Sequence, residues 1–184
     1  MEDGRGQTVK KGFVAFLLIL FLLEGSVFQL LLPQAWGSTF VVIPQLVVSG
    51  IIVISLYLPK RYVLMFAFSF GLLHDIVYGP AWGVTAFTLA AVAYGTYLLA
   101  NHFPPFVWIV GVAIVVGQCC YTLLVYGWYR LFGFTNMPFL FSFMTHIVPT
   151  LVFNAISAYP IFRFIHYVYM KKRNRQVVFD TIIR

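Results

Sequence analysis

Glu24, His74, Asp75 and His146 are the residues of this chain whose side chains could do chemistry, and each lies in or at the edge of an apolar run. An ionised carboxylate at the centre of a bilayer costs about 2.5–3.5 kcal/mol on insertion scales, so an acid in such a run needs a partner or a task. His74 and Asp75 are adjacent in Gly71-Leu72-Leu73-His74-Asp75, and the run closes on Gly79-Pro80-Ala81-Trp82-Gly83. Proton exchange, ligand contact and partner contact are the tasks open to such a pair. A zinc site drawn from His74, Asp75 and His146 has no recognisable ligand spacing, and neighbouring helical residues point about 100° apart. We therefore expect no metal and no cofactor. The structural alternative is that Asp75 caps the start of the next helix or fastens two helices. Gly71, Asp75 and Gly79 stand at i, i+4 and i+8, a small-polar-small face suited to close helix approach. On that reading Asp75→Asn should be nearly silent. Glu24 needs a hydrogen-bonding partner in an apolar setting, and a pair with Arg130 is one way to supply it. Asn154 has four hydrogen-bonding positions to satisfy and reads as interhelical glue, while Pro149 frees a backbone carbonyl about one turn earlier.

The elements that hold these residues follow from composition. Of 184 residues, 61% are hydrophobic and 9% charged, against roughly 25% charged in soluble domains. The runs are apolar all round, without the alternation of a transmembrane barrel strand. The chain reads as an all-α integral membrane protein with a single polytopic domain over residues 1–184. Six helices are expected at about 13–32, 40–58, 62–78, 84–100, 106–129 and 143–170, followed by a basic tail at 171–184. Pro44 should kink or break the first turn of the second helix. Pro149 and Pro160 should bend the sixth or end it early. With six spans, eleven of the 12 Lys and Arg residues fall on the side of the termini and Arg130 alone on the other. This places both termini in the cytoplasm. The clustered charge controls topology and suits anionic lipid or an acidic partner surface, whereas nucleic-acid binding would need a basic face on a soluble domain. Cys119 and Cys120 are adjacent on one helix, a spacing unsuited to a mutual disulfide. No nucleotide loop, nucleophile elbow, zincin or EF-hand pattern occurs.

Four features in order resemble MreD, the rod shape-determining membrane protein family of bacteria. They are Pro44 in Val-Ile-Pro-Gln-Leu-Val, Gly71-Leu72-Leu73-His74-Asp75, Gly79-Pro80-Ala81-Trp82-Gly83, and Pro149-Thr150 with Asn154-Ala155 and Pro160. The resemblance covers nearly the whole chain. It implies a non-enzymatic subunit of the machinery that elongates the lateral cell wall, in the bacterial cytoplasmic membrane. The partner would be the bitopic protein MreC, with MreB, RodA and a class B penicillin-binding protein in the wider complex, and homo-oligomers are compatible with it. It also implies a fold similar to the substrate-binding subunits of energy-coupling-factor transporters. Pro44, Gly71, Asp75, Gly79, Gly83, Pro149 and Asn154 carry the family pattern, with an architectural role. Glu24, His74, Trp82 and His146 are the candidates for partner or ligand contact. The alternative function, a small-molecule-binding transporter subunit, expects a pocket lined by the Asp75 turn, Trp82 and His146.

Overall fold

The computed structural model describes residues 3–26, 37, 41–102, 107–136 and 138–182, with side chains from residue 12 to residue 170 except 101 and 107. The described residues form six helical rods and no strand. They are α1 (Asp3–Gly25), α2 (Leu46–Ser55), α3 (Lys60–Tyr78), α4 (Val84–His102), α5 (Val107–Leu131) and a composite sixth rod. The sixth runs through α6 (Phe139–Ser142), a π-helical turn (Phe143–Ile147) and α7 (Val148–Ile182).

Helix α2 is the hub. Its sequence, Leu-Val-Val-Ser-Gly-Ile-Ile-Val-Ile-Ser, has no polar face, and all ten residues are buried. A helix apolar all round belongs inside other elements, and α2 touches α1, α3, α4, α5 and α7. Its side chains meet Leu17 and Phe21 of α1, Phe66 and Phe70 of α3, Leu89 of α4, Ile114 of α5 and Ile165 of α7 in one core.

The periphery is the reverse. The apolar windows of Trp108–Leu131 and Phe139–Met170 are long enough to cross a membrane, yet only 33% and 22% buried. Core helices of a water-soluble protein would hide such faces. Here Trp108, Val112, Val115, Val152 and Ile156 stand exposed, an apolar exterior that suits hydrocarbon rather than water.

Three helices differ in their bounds from those expected, the second also ending at Ser55 rather than 58. The polar start, Asp3 to Lys11, is already helical, and α1 ends at Gly25; the expected remainder, residues 27–32, lies outside the described residues. The second helix starts at Leu46 rather than 40, because residues 41–45 are non-helical and hydrogen-bonded to another rod. At ten residues it is about 15 Å long, half the hydrocarbon core of a bilayer. The sixth rod starts at Phe139 and neither breaks at Pro149 nor stops at Pro160. The π turn absorbs Pro149, and the helix runs on through the basic segment to Ile182.

Candidate functional site

Glu24, His74, Asp75 and Asn154 gather at one end of the bundle, in three joints. The first is the α3–α4 turn. Asp75 is fully buried. Its Oδ2 accepts from the N–H groups of Gly83 (2.9 Å) and Ala86 (3.1 Å), and its Oδ1 from that of Thr85 (3.0 Å). The first N–H groups of a helix have no partner within it, so Asp75 caps α4 from the preceding helix and opposes the positive end of its dipole. The turn permits this through its glycines. Gly83 has φ +96°, the left-handed region that other residues disfavour, and it presents its N–H to the carboxylate. Gly71, one turn before Asp75, faces Ala86 so closely that a Cβ would lie 2.6 Å from the Ala86 Cα. Gly71→Ala is therefore expected to lose roughly 1–3 kcal/mol through overpacking. Gly95→Ala faces nothing within 4 Å and should be neutral or slightly stabilising. Melting of the two purified variants side by side checks this.

The second joint uses the other buried acid. Glu24, near the end of α1, accepts from the Val47 N–H of α2 at 3.2 Å through Oε2, and pairs with His74 Nε2 at 2.8 Å through Oε1. Glu24 is 4% exposed. It thus caps the central half-helix, while His74 holds it from α3. The His74 ring sits between Phe21 and Tyr78, 6.0 and 5.0 Å away between centroids. The Tyr78 hydroxyl fills the space that a Cβ at Gly25 would take. The Glu24–Arg130 pairing is not what forms. Arg130 lies instead by the Tyr126 hydroxyl at 3.4 Å, one turn back on its own helix, because His74 and the α2 terminus already occupy the carboxylate.

The third joint splices residues 41–45 onto the sixth rod. The Val41 N–H donates to the Thr145 carbonyl (3.0 Å), that of Ile43 to Thr150 Oγ1 (3.1 Å), and that of Gln45 to Asn154 Oδ1 (2.8 Å). Asn154 Nδ2 returns a bond to the Ile43 carbonyl at 3.2 Å. Donors at alternate residues meet acceptors spaced along one helix face. Pro44 falls between them, where no donor is required. Pro149 has no N–H for the Thr145 carbonyl four residues back, and Val41 takes that acceptor instead. Gln118 of α5 completes the joint, donating from Nε2 to the Gln45 carbonyl (3.2 Å) and to Ser49 Oγ (2.6 Å).

Trp82 and His146 stand apart from these joints. Trp82 is 81% exposed and lines an open cavity of about 640 Å³ with Ala81, Gly83, Val84, Phe87, Trp128, Phe132 and Phe134. The lining is aromatic and apolar. Asp75 lies behind Gly83 with both oxygens engaged, and neither it nor His146 reaches the cavity. This cavity thus differs from the pocket expected of a transporter subunit, in which Asp75, Trp82 and His146 converge. His146 is half-buried in the π turn. Among the described residues no group of three or more His, Cys, Asp or Glu could hold a metal ion. Sequence reasoning missed Gln45, Ser49 and Thr150; their spacing to Asn154 and Gln118 becomes meaningful only once residues 41–45 are known to be unwound.

The described residues thus define an all-helical protein with an apolar exterior, whose internal polar groups splice interrupted helices together. The family model for the rod shape-determining protein MreD matches residues 10–173, nearly the whole chain, and the chain belongs to that family. Its members are bacterial membrane proteins, and membership assigns a role in determining rod shape. Comparison with curated proteins and with solved structures gives no match.

Proposed function

We propose that this protein is a non-catalytic, multi-pass scaffold of the bacterial cytoplasmic membrane, with both termini in the cytoplasm. It holds a single-span partner of the MreC type in the assembly that includes MreB, RodA and a class B penicillin-binding protein. The observation that carries the reading is the engagement of both buried acids. Asp75 has both oxygens on backbone N–H groups, and Glu24 has one on Val47 and one on His74. A carboxylate that serves as general base or ligand contact must present a free lone pair to its substrate. These two meet three and two protein donors and are sealed from solvent, so neither faces a position that a substrate could occupy. The family's role in rod shape supports the rest, as does the distribution of eleven basic residues against one.

Of the four residues offered for partner contact, Glu24 and His74 face one another inside the bundle, and His146 is half-buried. Trp82 projects outward beside an apolar cavity, and we assign it to the partner surface. Large aromatic side chains in apolar pockets dominate many interfaces. Purification of the tagged protein from its host under mild solubilisation should recover an MreC-type protein and wall synthases. Trp82→Ala should reduce that recovery by more than about tenfold, the scale of a hot-spot truncation, at unchanged membrane abundance. Recovery of an ATPase pair with a coupling subunit would instead make it a transporter subunit. Full recovery with Trp82→Ala would move the partner surface elsewhere.

A further inference from the structure

We infer that the end of the bundle opposite the three joints is a binding surface for anionic glycerophospholipid headgroups. It is built from the start of α3 and the end of α7. These elements are more than 100 residues apart in sequence and are brought together by Tyr57, in the turn between α2 and α3. Its hydroxyl bonds His166 Nδ1 at 3.1 Å, and its ring lies 4.9 Å from that of Tyr169. Burial, with the Tyr169 phenol beside it, pushes the Tyr57 hydroxyl up to about 12. Lys60 and Arg61 follow three and four residues after Tyr57, and Lys171 comes two residues after Tyr169. The contact therefore brings the Lys60-Arg61 pair to the same end as Lys171-Lys172-Arg173-Asn174-Arg175. No Asp or Glu lies within residues 57–61 or 163–175. Glu24 and Asp75, which could have neutralised part of this charge, are buried at the other end.

Depth separates lipid from protein as the occupant. The apolar stretch of the last rod ends at Met170, and the helix continues without a break to Ile182. At 1.5 Å per residue, residues 171–175 cover about the first 7 Å beyond it. A bilayer of roughly 40–45 Å with a hydrocarbon core of about 30 Å leaves roughly 5–7 Å of headgroup on each side. The backbone that carries four Lys and Arg residues in sequence thus continues directly out of the apolar stretch, over a length that matches a headgroup layer. An acidic protein would meet the rod farther out, over residues 176–182, where Asp180 is the one charged residue. Arg163, two turns inside Met170, is exposed between the exposed Tyr159 and Tyr167. Its long stem lets the guanidinium rise to the same layer, and tyrosines favour that interface. Lys60 is steadied over the Tyr94 ring at 4.5 Å.

The test uses the full chain in mixed micelles of phosphatidylglycerol and phosphatidylcholine, with bound lipid counted by native mass spectrometry. The wild type is expected to retain phosphatidylglycerol over phosphatidylcholine by at least about tenfold, the scale set by several cations at a membrane surface. The quintuple variant K60Q/R61Q/K171Q/K172Q/R173Q should cut that preference severalfold. The charge-preserving K60R/K171R/K172R should keep the preference, which guards against loss through misfolding. Arg130→Gln, at the other end, should leave it unchanged. Equal retention of both lipids by the wild type overturns the inference, as does an equal loss in Arg130→Gln. Displacement of the lipid by stoichiometric polyglutamate would make this a protein-docking surface and likewise overturn it.

Discussion

Asp75→Leu is expected to abolish recovery of folded protein. Leu keeps the branching of Asp but sets bulkier methyl groups in place of its two oxygens, so some overpacking accompanies the loss of the acceptor of three buried N–H groups. At roughly 1–3 kcal/mol for each buried donor left unpaired, the loss approaches the whole margin of about 5–15 kcal/mol that holds a typical domain together. Asp75→Asn is the sharper probe. The amide oxygen can take the place of Oδ2, which serves Gly83 and Ala86. The amide nitrogen then faces the Thr85 N–H, donor against donor. One bond is lost and the negative charge at the α4 terminus disappears, so we expect destabilisation of roughly 1–3 kcal/mol rather than silence. Fluorescence-monitored melting of purified variants, with membrane abundance alongside, measures both effects. Asp75→Leu at wild-type stability would reject the cap. Asp75→Asn that melts like the wild type yet fails to support rod shape would assign the charge to a partner instead.

That revision shows how far the sequence reading reaches. The face Gly71, Asp75, Gly79 marks a close helix joint from spacing alone, and the structure places Gly71 against Ala86 and Asp75 on the α4 terminus. Spacing does not reveal how many donors converge on the carboxylate. That number depends on the path of residues 79–83 and decides whether an amide can replace it. Glu24 is harder still. Nothing local to it names Val47 or His74, which stand 23 and 50 residues away; charge suggests Arg130 as one partner, whereas a backbone N–H carries no sequence mark. The two acids nevertheless follow one rule. Each lies near the end of one helix and caps the beginning of the next, α1 to α2 and α3 to α4. In a setting without water, the dangling N–H groups of an interrupted helix must be met from within the protein. A carboxylate carried on the preceding helix meets them while reducing the desolvation that made it look catalytic. Helix α2 was read too long for a related reason. Residues 41–43 are as apolar as those that follow, and hydropathy does not distinguish a helix from an extended segment whose donors are met by Thr150 and Asn154.

Asn154→Leu is expected to have the second largest effect, and it tests that extended segment directly. Asn154 is fully buried. It bonds the backbone on both sides of Pro44, accepting from the Gln45 N–H and donating to the Ile43 carbonyl. Leu keeps the branching, with bulkier ends, and can do neither, leaving two buried groups unpaired at about 1–3 kcal/mol each. Thr150→Val removes one bond, from the Ile43 N–H, and should cost about half as much. Asn154→Asp separates the two roles. Protonated, the acid retains an acceptor for Gln45 and supplies an O–H donor for Ile43; ionised, it sets its oxygen against the Ile43 carbonyl and brings an unpaired charge into the core. Its melting temperature should therefore fall as pH rises through the range in which the wild type is unchanged, and recover on acidification. Because the Gln45 carbonyl also accepts from Gln118 and Gln45 leads directly into α2, loosening this joint should free the N-terminal turn of the central helix. Hydrogen exchange at Gln45 to Val48 should accelerate in Asn154→Leu while exchange in α3 stays protected. Uniform acceleration across all rods would mean that Asn154 contributes to global packing and does not hold residues 41–45 in particular.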